Sequence, residues 1–310
     1  MLKRIDLTRD YQKHKAEYLE AIQKVCEDTA FSGGKYADEF DKEFAQYCGV
    51  PYASGVNNGT SALHCAMVAL GIGEGDEVIV PANTYIATAW GVTYTGATPV
   101  FVDCTADTWE IDPDKIEEKI SEKTKAIIGV HLYGQPFEFN KVKEIADRHH
   151  LYVVEDNAQS VGADYIFSDG RVRKAGTIGH IGTTSFFPSK PLACYGDGGA
   201  LMTSDEALAA RIRMIANHGQ ECKYHHRRIG CNSRLDTLQA AVLDVKLKHL
   251  EEFTETRRQV ASRYDEALSS CDSLVLPARS IFSTHVYHQY TVQVKDGRRN
   301  VLQCLSLIHI

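Results

Sequence analysis

Residues 126–159, AIIGVHLYGQPFEFNKVKEIADRHHLYVVEDNAQ, decide the fold class of this chain. Two short apolar runs, at 126–130 and 152–154, lack the in-and-out alternation of a half-exposed strand, so both of their faces are expected to be covered. Between them lies a helix-like segment at 140–150, which begins with an Asn suited to cap a helix. Strand, helix and strand in this order predict a parallel sheet with helices on both sides.

The same alternation extends from residue 58 to residue 204. Further apolar runs lie at 78–80 and 99–102, and further helix-like segments lie at 60–70 and 112–120. Alternation of short runs and helices over this length favours one large α/β domain.

Beyond that region the pattern changes to long helices at 205–216 and 236–268, followed by a strand at 288–294. This change predicts a second, smaller α+β domain. We therefore assign residues 1–245 to a large domain with an N-terminal helix, and residues 246–310 to the start of a small C-terminal domain.

The final sequence VLQCLSLIHI, at 301–310, ends where a new element should begin. It is compatible with a real edge strand or helix. We favour instead a chain cut short, with a truncated small domain whose last residues are non-native to the fold.

The composition disfavours several classes of protein. Lys and Arg number 34 against 41 Asp and Glu in 310 residues, a net charge of −7, whereas binding to nucleic acid normally requires a basic face. With 44% hydrophobic and 24% charged residues, the chain is globular rather than disordered. It has no run of about 18 apolar residues and its N-terminus is charged, so we expect a soluble, cytoplasmic protein without a membrane segment. The nine cysteines lack CxxC spacing, which predicts reduced thiols and no metal site.

The motif Asn58-Gly59-Thr60-Ser61 opens the first strong helix. Backbone N–H groups, hydroxyls and the positive end of the helix dipole would meet there, which favours an anion site. An ordinary helix N-cap is the alternative, because Ser and Thr cap many helices without binding a ligand.

Two further residues stand at positions suited to chemistry. Asp156 follows the run at 152–154, at the strand end where open α/β sheets bind ligands, and could pair with a protonated ring nitrogen. A capping or salt-bridged Asp is the alternative. Lys190 lies between Pro188 and Pro191, ahead of the glycine-rich sequence YGDGGA. That setting suits a Schiff-base lysine, whose amine must be reachable and at times neutral, although a structural lysine remains the alternative.

The order of these features is informative: an anion site, the aromatic Tyr85 after a strand, the acid Asp156 and then Lys190. Pyridoxal 5'-phosphate (PLP) needs a phosphate anchor, a stacked ring, a carboxylate that keeps its pyridine nitrogen protonated, and a lysine for its aldehyde. The combination predicts a PLP site.

Several stretches identify a family resemblance: FSGGKYADEFDKEFAQYCG, NGTSAL, GDEVIVPANTYIATA, EDNAQS, SFFPSKPLACYGDGGA, NHGQ and IGCNSRLDTLQAA. From about Ile5 to Leu302 the chain resembles the DegT/StrS-type nucleotide-sugar aminotransferases. The resemblance implies PLP-dependent transferase fold type I, similar to aspartate aminotransferase, with a large, mostly parallel sheet domain and a small α+β domain, here truncated.

The resemblance also implies roles for individual residues. Lys190 would bind the cofactor aldehyde and move a proton between the amino donor and the cofactor; a histidine there would signal a dehydratase. Asp156 would pair with the pyridine nitrogen, with Gln159 near the ring hydroxyl and Tyr85 over the ring. The phosphate would be held by the helix start and one strand end: Gly59, Thr60, Ser61 and Ser185.

Asn232 would reach the same phosphate from the other subunit, so the resemblance implies a homodimer with shared active sites. The chain departs from the family pattern in two places. Asn157 stands where Ala is usual, and the closing segment with a glycine-rich turn and a tyrosine-proline motif is absent.

For the substrate, the Lys190-Pro-Leu sequence and residues 224–236 look most like the subgroup that aminates UDP-2-acetamido-2-deoxy-3-oxo-glucuronate in surface-polysaccharide synthesis, with L-glutamate as amino donor. Arg234 is our candidate for binding a substrate carboxylate, because guanidinium can bind carboxylate through two hydrogen bonds. A structural Arg paired with Asp236 or another acid is the alternative. His225 and His226 could contact the diphosphate, or they could lie in a solvated loop.

Three other functions stay open. Enzymes for dTDP-3-oxo-6-deoxyhexoses and 4-keto-sugar aminotransferases would share every cofactor residue and differ only in substrate contacts. A non-catalytic regulatory protein on this fold would be expected to lose the lysine or the acid, and this sequence retains both Lys190 and Asp156.

Overall fold

The computed structural model describes residues 6–309 of the chain, and the side chains of residues 6–304. The helices of this part are α1 (Thr8–Glu27), α2 (Lys35–Cys48), α3 (Gly59–Leu70), α4 (Ala87–Thr93), α5 (Phe139–Arg148), α6 (Glu206–Ala216), α7 (Thr237–Leu268) and α8 (Arg299–His309). None of them combines the length and the apolar character needed to cross a bilayer.

Seven of the described strands form one large sheet, and the others form two-stranded sheets. In chain order the described strands are β1 (Tyr52–Val56), β2 (Glu77–Pro81), β3 (Thr98–Val102), β4 (Thr124–Val130), β5 (Tyr152–Asp156), β6 (Asp164–Ile166), β7 (Val172–Lys174), β8 (Ile181–Ser185), β9 (Gly199–Thr203), β10 (Gln220–Cys222), β11 (His225–His226), β12 (Leu274–Val275) and β13 (Gln293–Val294). The order in the large sheet is β1-β9-β8-β5-β4-β2-β3. All pairings from β8 to β3 are parallel, whereas β9 is antiparallel to both of its neighbours. The expected large, mostly parallel sheet is confirmed.

Successive residues of the central strands are buried on opposite faces of the sheet. Val80 and Ile128 pack in a cluster with apolar residues of α3 and α6, whereas their neighbours Ile79 and Ile127 pack with residues of α5. Burying one such side chain contributes roughly 1.5–3 kcal/mol of stability. This two-sided burial is why the strands are continuous apolar runs in the sequence.

The helix expected at residues 112–120 is not formed. The structure has two 3-10 turns there, Pro113–Lys115 and Glu117–Lys119, and the Asp112 side chain caps the first by accepting from the Asp114 N–H. Because Ile120 already has an extended backbone on the way to β4, the segment ends before a regular α-helix develops.

The helix expected at residues 140–150 is present, but its expected Asn cap is wrong. Helix α5 begins at Phe139, and its N-cap residue, Glu138, makes no side-chain capping bond. Asn140 lies inside the first turn, where its backbone N–H donates to the Tyr165 hydroxyl at 3.2 Å. That tertiary bond replaces the local cap.

The strand expected at residues 288–294 is reduced to β13, which pairs with β12. The backbone N–H groups of Val286 and Gln289 donate instead to the carbonyls of Gly134 and Tyr133. These bonds hold the segment against the sheet domain rather than in a sheet of its own.

The expected boundary between residues 245 and 246 falls inside α7, which runs without interruption from Thr237 to Leu268. The division into two domains stays a prediction. Residues 301–309 lie in α8, and the expectation that the chain is cut short also stays a prediction.

Candidate active site

A cavity of about 760 Å³ lies at the carboxyl ends of the parallel strands. It is formed where α3 begins, where β5 and β8 end, and by the loops after β2 and β8. Residues that line it include Asn58, Gly59, Thr60, Ser61, Thr84, Tyr85, Asp156, Gln159, Ser185, Lys190, His288 and Gln289. The structure therefore brings eight of the twelve predicted site residues to one place.

The N-terminus of α3 forms one wall of the cavity. Asn58 is the N-cap, and its side chain accepts a hydrogen bond from the Ser61 N–H at 2.8 Å. A Cβ atom on Gly59 would stand 2.7 Å from the Ser185 Cβ, so only glycine lets the helix approach β8 this closely. The motif is thus both a cap and a candidate anion site: Thr60, Ser61 and Ser185 present hydroxyls beside the N–H groups of the first helical turn.

Asp156 ends β5 and is only 6% exposed. Its carboxylate accepts hydrogen bonds from the Thr88 hydroxyl at 2.8 Å and from the Ala158 N–H at 3.1 Å. Within residues 6–304 it forms no salt bridge, so the salt-bridge alternative is not observed. A buried carboxylate with only neutral donors in the protein is well placed to bind a cationic group of a ligand.

The position of Asp156 is supported by its neighbour Glu155, which is fully buried. The Glu155 carboxylate accepts from His131 Nε2 at 2.8 Å and from three backbone N–H groups of the following loop, those of Gly176, Ile178 and Gly179. Burial raises the pKa of Glu155, but the hydrogen bonds from His131 and from the backbone outweigh it, so the net pKa is lowered. An ionised, four-fold bonded carboxylate thus fixes the end of β5.

Lys190 lies in the loop after β8, where its backbone N–H donates a hydrogen bond to the Phe187 carbonyl at 2.8 Å. Burial lowers the pKa of Lys190, while the negative charge of Asp156 opposes that shift. The net lowering favours a neutral amine, which a lysine needs in order to act as a nucleophile or a base.

The other predicted cofactor residues also reach the cavity. Tyr85 lines it with 69% of its surface exposed, so one ring face is free to contact a ligand. The Gln159 side chain accepts from the Tyr133 N–H at 2.6 Å, which fixes it at the cavity wall.

The cavity contains residues that the sequence analysis missed. His288 and Gln289 line it, although they were expected to begin a strand, and Thr88 donates to Asp156. Burial, together with the charges of Lys190 and Arg257, lowers the pKa of His288 to about 3. Thr88 lies in the quoted stretch GDEVIVPANTYIATA and could have been found there, whereas nothing local signals His288.

Four predicted residues lie outside the cavity of their own chain. Asn232 is exposed, and its backbone forms an isolated antiparallel β-bridge with Asn217. Arg234 Nη1 donates a hydrogen bond to the Asn217 side chain at 3.1 Å. Within the described residues Arg234 has no ion pair, so the expected alternative of pairing with Asp236 is not observed. His225 and His226 form the exposed strand β11.

The residues present fit PLP. The acid without a cationic partner suits the pyridine nitrogen, the lysine with a lowered pKa suits the aldehyde, and the hydroxyl-rich helix N-terminus suits the phosphate. Fold and site together define a PLP-dependent enzyme of fold type I.

More specifically, the chain belongs to the DegT/DnrJ/EryC1/StrS aminotransferase family, whose profile matches residues 12–308. Enzymes of this family depend on PLP. The chain is therefore an aminotransferase, and the expected cofactor is confirmed.

Similar proteins carry several names. The chain is 43% identical to the UDP-2-acetamido-2-deoxy-3-oxo-D-glucuronate aminotransferase of Pseudomonas aeruginosa, with 99% of this chain and 83% of that protein covered. It is 42% identical to the dTDP-3-amino-3,4,6-trideoxy-alpha-D-glucose transaminase of Streptomyces venezuelae (96% and 77% covered) and to the pleiotropic regulatory protein of Geobacillus stearothermophilus (96% and 79%). The crystal structure of DesV from S. venezuelae matches with a TM-score of 0.91 at 42% identity, covering 97% of this chain and 80% of that one.

Proposed function

We propose that the enzyme transfers an amino group from L-glutamate to the keto carbon of a nucleotide sugar, with UDP-2-acetamido-2-deoxy-3-oxo-glucuronate as its substrate. The reaction would serve surface-polysaccharide biosynthesis in the cytoplasm. The observation that carries the amino transfer is the single cavity that joins Lys190, Asp156 and the N-terminus of α3. The choice of sugar is supported by the similarity to the Pseudomonas enzyme.

When bound, PLP supplies an electron sink for breaking a bond at the amino carbon. In this proposal the chain's own residues do the rest. Lys190 would hold the cofactor through its Nζ atom, and the same amine would act as the base that moves a proton between the amino donor and the cofactor. Its lowered pKa makes the neutral amine available for that step.

Asp156 would keep the pyridine nitrogen protonated through a charge-assisted hydrogen bond, and Thr88 and Ala158 hold the carboxylate in place. The phosphate would be bound by the helix start and the end of β8: Gly59, Thr60, Ser61 and Ser185. Gln159 would lie near the ring hydroxyl, and Tyr85 would lie over the ring.

The second half of the site comes from a partner chain. Asn232 and Arg234 are exposed and lie outside the cavity of their own chain, which is consistent with action in a homodimer. We assign Asn232 to the partner's phosphate and Arg234 to the carboxylate of the sugar. His225 and His226 would approach the diphosphate.

Arg234 gives the sharpest test of the substrate. The wild type and an R234Q variant are assayed with glutamate on two substrates: the UDP-3-keto uronate, and the analogue with a hydroxymethyl group in place of the carboxylate. We expect R234Q to raise the KM for the uronate about tenfold or more and to leave the analogue unaffected. An equal effect on both substrates would contradict the carboxylate contact.

A second candidate is amination of a dTDP-3-keto-6-deoxyhexose, which the similarity to the Streptomyces transaminase favours. The same assay on that substrate decides between the two, because a higher kcat/KM on the dTDP sugar would replace the UDP-sugar proposal. A non-catalytic regulatory role, which the name of the Geobacillus relative suggests, is disfavoured because the chain retains Lys190 and Asp156. Failure of the PLP-loaded protein to accept an amino group from glutamate would support that role.

A further inference from the structure

Helices α1 and α7 pack against each other away from the cofactor cavity. Tyr18 of α1 packs with Val242 and Val245 of α7 in a small apolar cluster. Beside this cluster, where His14 lies one turn before Tyr18 and His249 one turn after Val245, is a group of polar side chains that the aminotransferase site does not use: His14, Glu17, His249 and Glu252.

Glu17 holds the two imidazole rings together. Its carboxylate oxygens lie 3.1 Å from His14 Nδ1 and 2.9 Å from His249 Nε2. The ring centroids of His14 and His249 are 3.8 Å apart, closer than the contacts of either ring with Phe253. The carboxylate and the ring contact hold both imidazoles at one place between the helices.

His14 is the unusual member of the group. It is 6% exposed, and its second ring nitrogen, Nε2, is buried without a hydrogen-bond partner among the described residues. Its backbone also departs from helical values, with φ −111° and ψ 15°, in the middle of α1. Buried imidazole nitrogens normally have a partner, so this nitrogen is open to a ligand.

The donor atoms of His14, His249 and Glu252 all lie within 4.8 Å of one another. Two imidazoles and a carboxylate are a set that binds zinc and related divalent ions. Ligands of a tetrahedral zinc ion are about 3.4 Å apart, given Zn–N and Zn–O distances near 2.1 Å, so small side-chain rotations would close the site. Glu252 pairs with the exposed Lys13, which would have to release it.

We propose that His14, His249 and Glu252 bind a divalent transition-metal ion of the zinc type, which joins α1 to α7, and that Glu17 positions the imidazoles. Carboxylates that hold metal-bound histidines in this way are common outside the ligand set. The ion would also order the surroundings of the catalytic loop, because Tyr195, shortly after Lys190, packs against Tyr18 of α1.

The test uses the full chain with PLP bound and without a histidine tag. After treatment with a chelator and its removal, ZnCl₂ is titrated in a calorimeter, and CoCl₂ is added to a second sample to record the visible absorption of a tetrahedral ion. We expect one ion per chain and a higher thermal midpoint with zinc. Absence of saturable zinc binding would overturn the proposal.

Variants locate the ion. H249A and E252Q change partly exposed side chains and should each weaken zinc binding at least tenfold, and E17Q should weaken it by about tenfold. H149A is the matched control, because His149 also pairs with a glutamate, Glu117, at 3.1 Å but lies outside the group formed by His14, His249 and Glu252. It should bind zinc like the wild type.

Two outcomes would contradict the site. Zinc binding that survives in both H249A and E252Q would place the ion elsewhere. Loss of binding in C231S, which removes a thiol lying 3.7 Å from the Cys65 thiol, would assign the ion to sulfur. Neither result bears on transamination, so the metal site and the proposed function are tested separately.

Discussion

The chain holds two regions of the proposed site in different ways: the floor of the cavity, which comprises Gly59, Asp156, Ser185 and Lys190, and the segment at residues 225–234. Asp156, Ser185 and Gly59 lie at the ends of buried strands and at a helix N-terminus that packs directly on β8. Asn232 and Arg234 are exposed, and both contact Asn217. One chain thus supplies most of the groups proposed for the cofactor, whereas the groups proposed for the sugar and for the partner's phosphate lie outside the cavity of their own chain.

The difference separates two kinds of function. Groups that must act on a cofactor atom in every turnover are fixed by the sheet, which keeps their positions precise. Groups proposed to act in the other subunit are useful only after assembly. Variants of the floor should therefore stop transamination whichever partner chain is present. The effect of variants in the segment should depend on the partner chain.

The largest effect is expected for K190A, because the floor then lacks its only proposed nucleophile and proton carrier. Transamination should fall about 10³-fold or more. The readout is glutamate-dependent amination, with borohydride trapping and peptide mapping to find the labelled lysine. K223A, which changes an exposed lysine near β11, is the control. Cofactor trapped on another lysine would refute the assignment.

D156N keeps the shape of the floor and removes its negative charge. Turnover should fall by about 10²-fold or more while PLP stays bound, because the phosphate anchors are unchanged. Cofactor absorbance and kcat are measured on the same samples. Near-normal kcat would show that the carboxylate does not control the pyridine nitrogen.

Mixed dimers test whether the two regions meet across subunits. N232A alone should weaken PLP retention about tenfold, the value of a hydrogen bond to a charged group. When K190A and N232A chains are mixed, each mixed dimer should contain one site with both residues intact, so amination should exceed that of either parent. No recovery, under conditions where differently tagged chains are shown to exchange, would place Asn232 outside the partner's site.

A smaller effect concerns acid stability, and His288 of the cavity wall should show it. Its folded pKa of about 3 lies below the unfolded value, so the unfolded chain binds a proton first as the pH falls. Protonation of His288 should leave the free energy of unfolding unchanged above pH 6.5 and should lower it by about 2 kcal/mol between pH 6.5 and pH 5.

The measurement is urea unfolding of the cofactor-free protein at both pH values. H288Q should remove that part of the decline, and H149Q, which changes a histidine outside the cavity, should not. Equal acid sensitivity in H288Q and the wild type would contradict the assignment.

The features that could be predicted from the sequence depend on residues that are neighbours along the chain. Continuous apolar runs located β2, β4 and β5, because Ile79 and Val80 are buried on opposite faces and neither needs to be polar. Asp156 could be predicted because it ends a strand, so the strand itself carries the side chain to the cavity. Lys190 could be predicted from its position between Pro188 and Pro191, ahead of the glycine-rich sequence.

What the sequence missed depends on contacts between distant segments. His288 reaches the cavity because the backbone beside it bonds to residues 133 and 134, and no local pattern reports that pairing. The His249 and Glu17 contact joins helices at opposite ends of the chain. The 3-10 turns at 113–119 show the same limit. Their residues favour an α-helix, but the chain becomes extended at residue 120 to enter β4.

The buried Glu155 carboxylate has a consequence for hydrogen exchange. Three amide protons of one loop, those of Gly176, Ile178 and Gly179, are bound to the same side chain rather than to a ladder of backbone carbonyls. None of them can meet solvent water until that carboxylate is released. Loop amides usually exchange quickly and independently. These three should instead exchange together, at the pace of the β5 amides, so that the loop and the strand that carries Asp156 open as one unit.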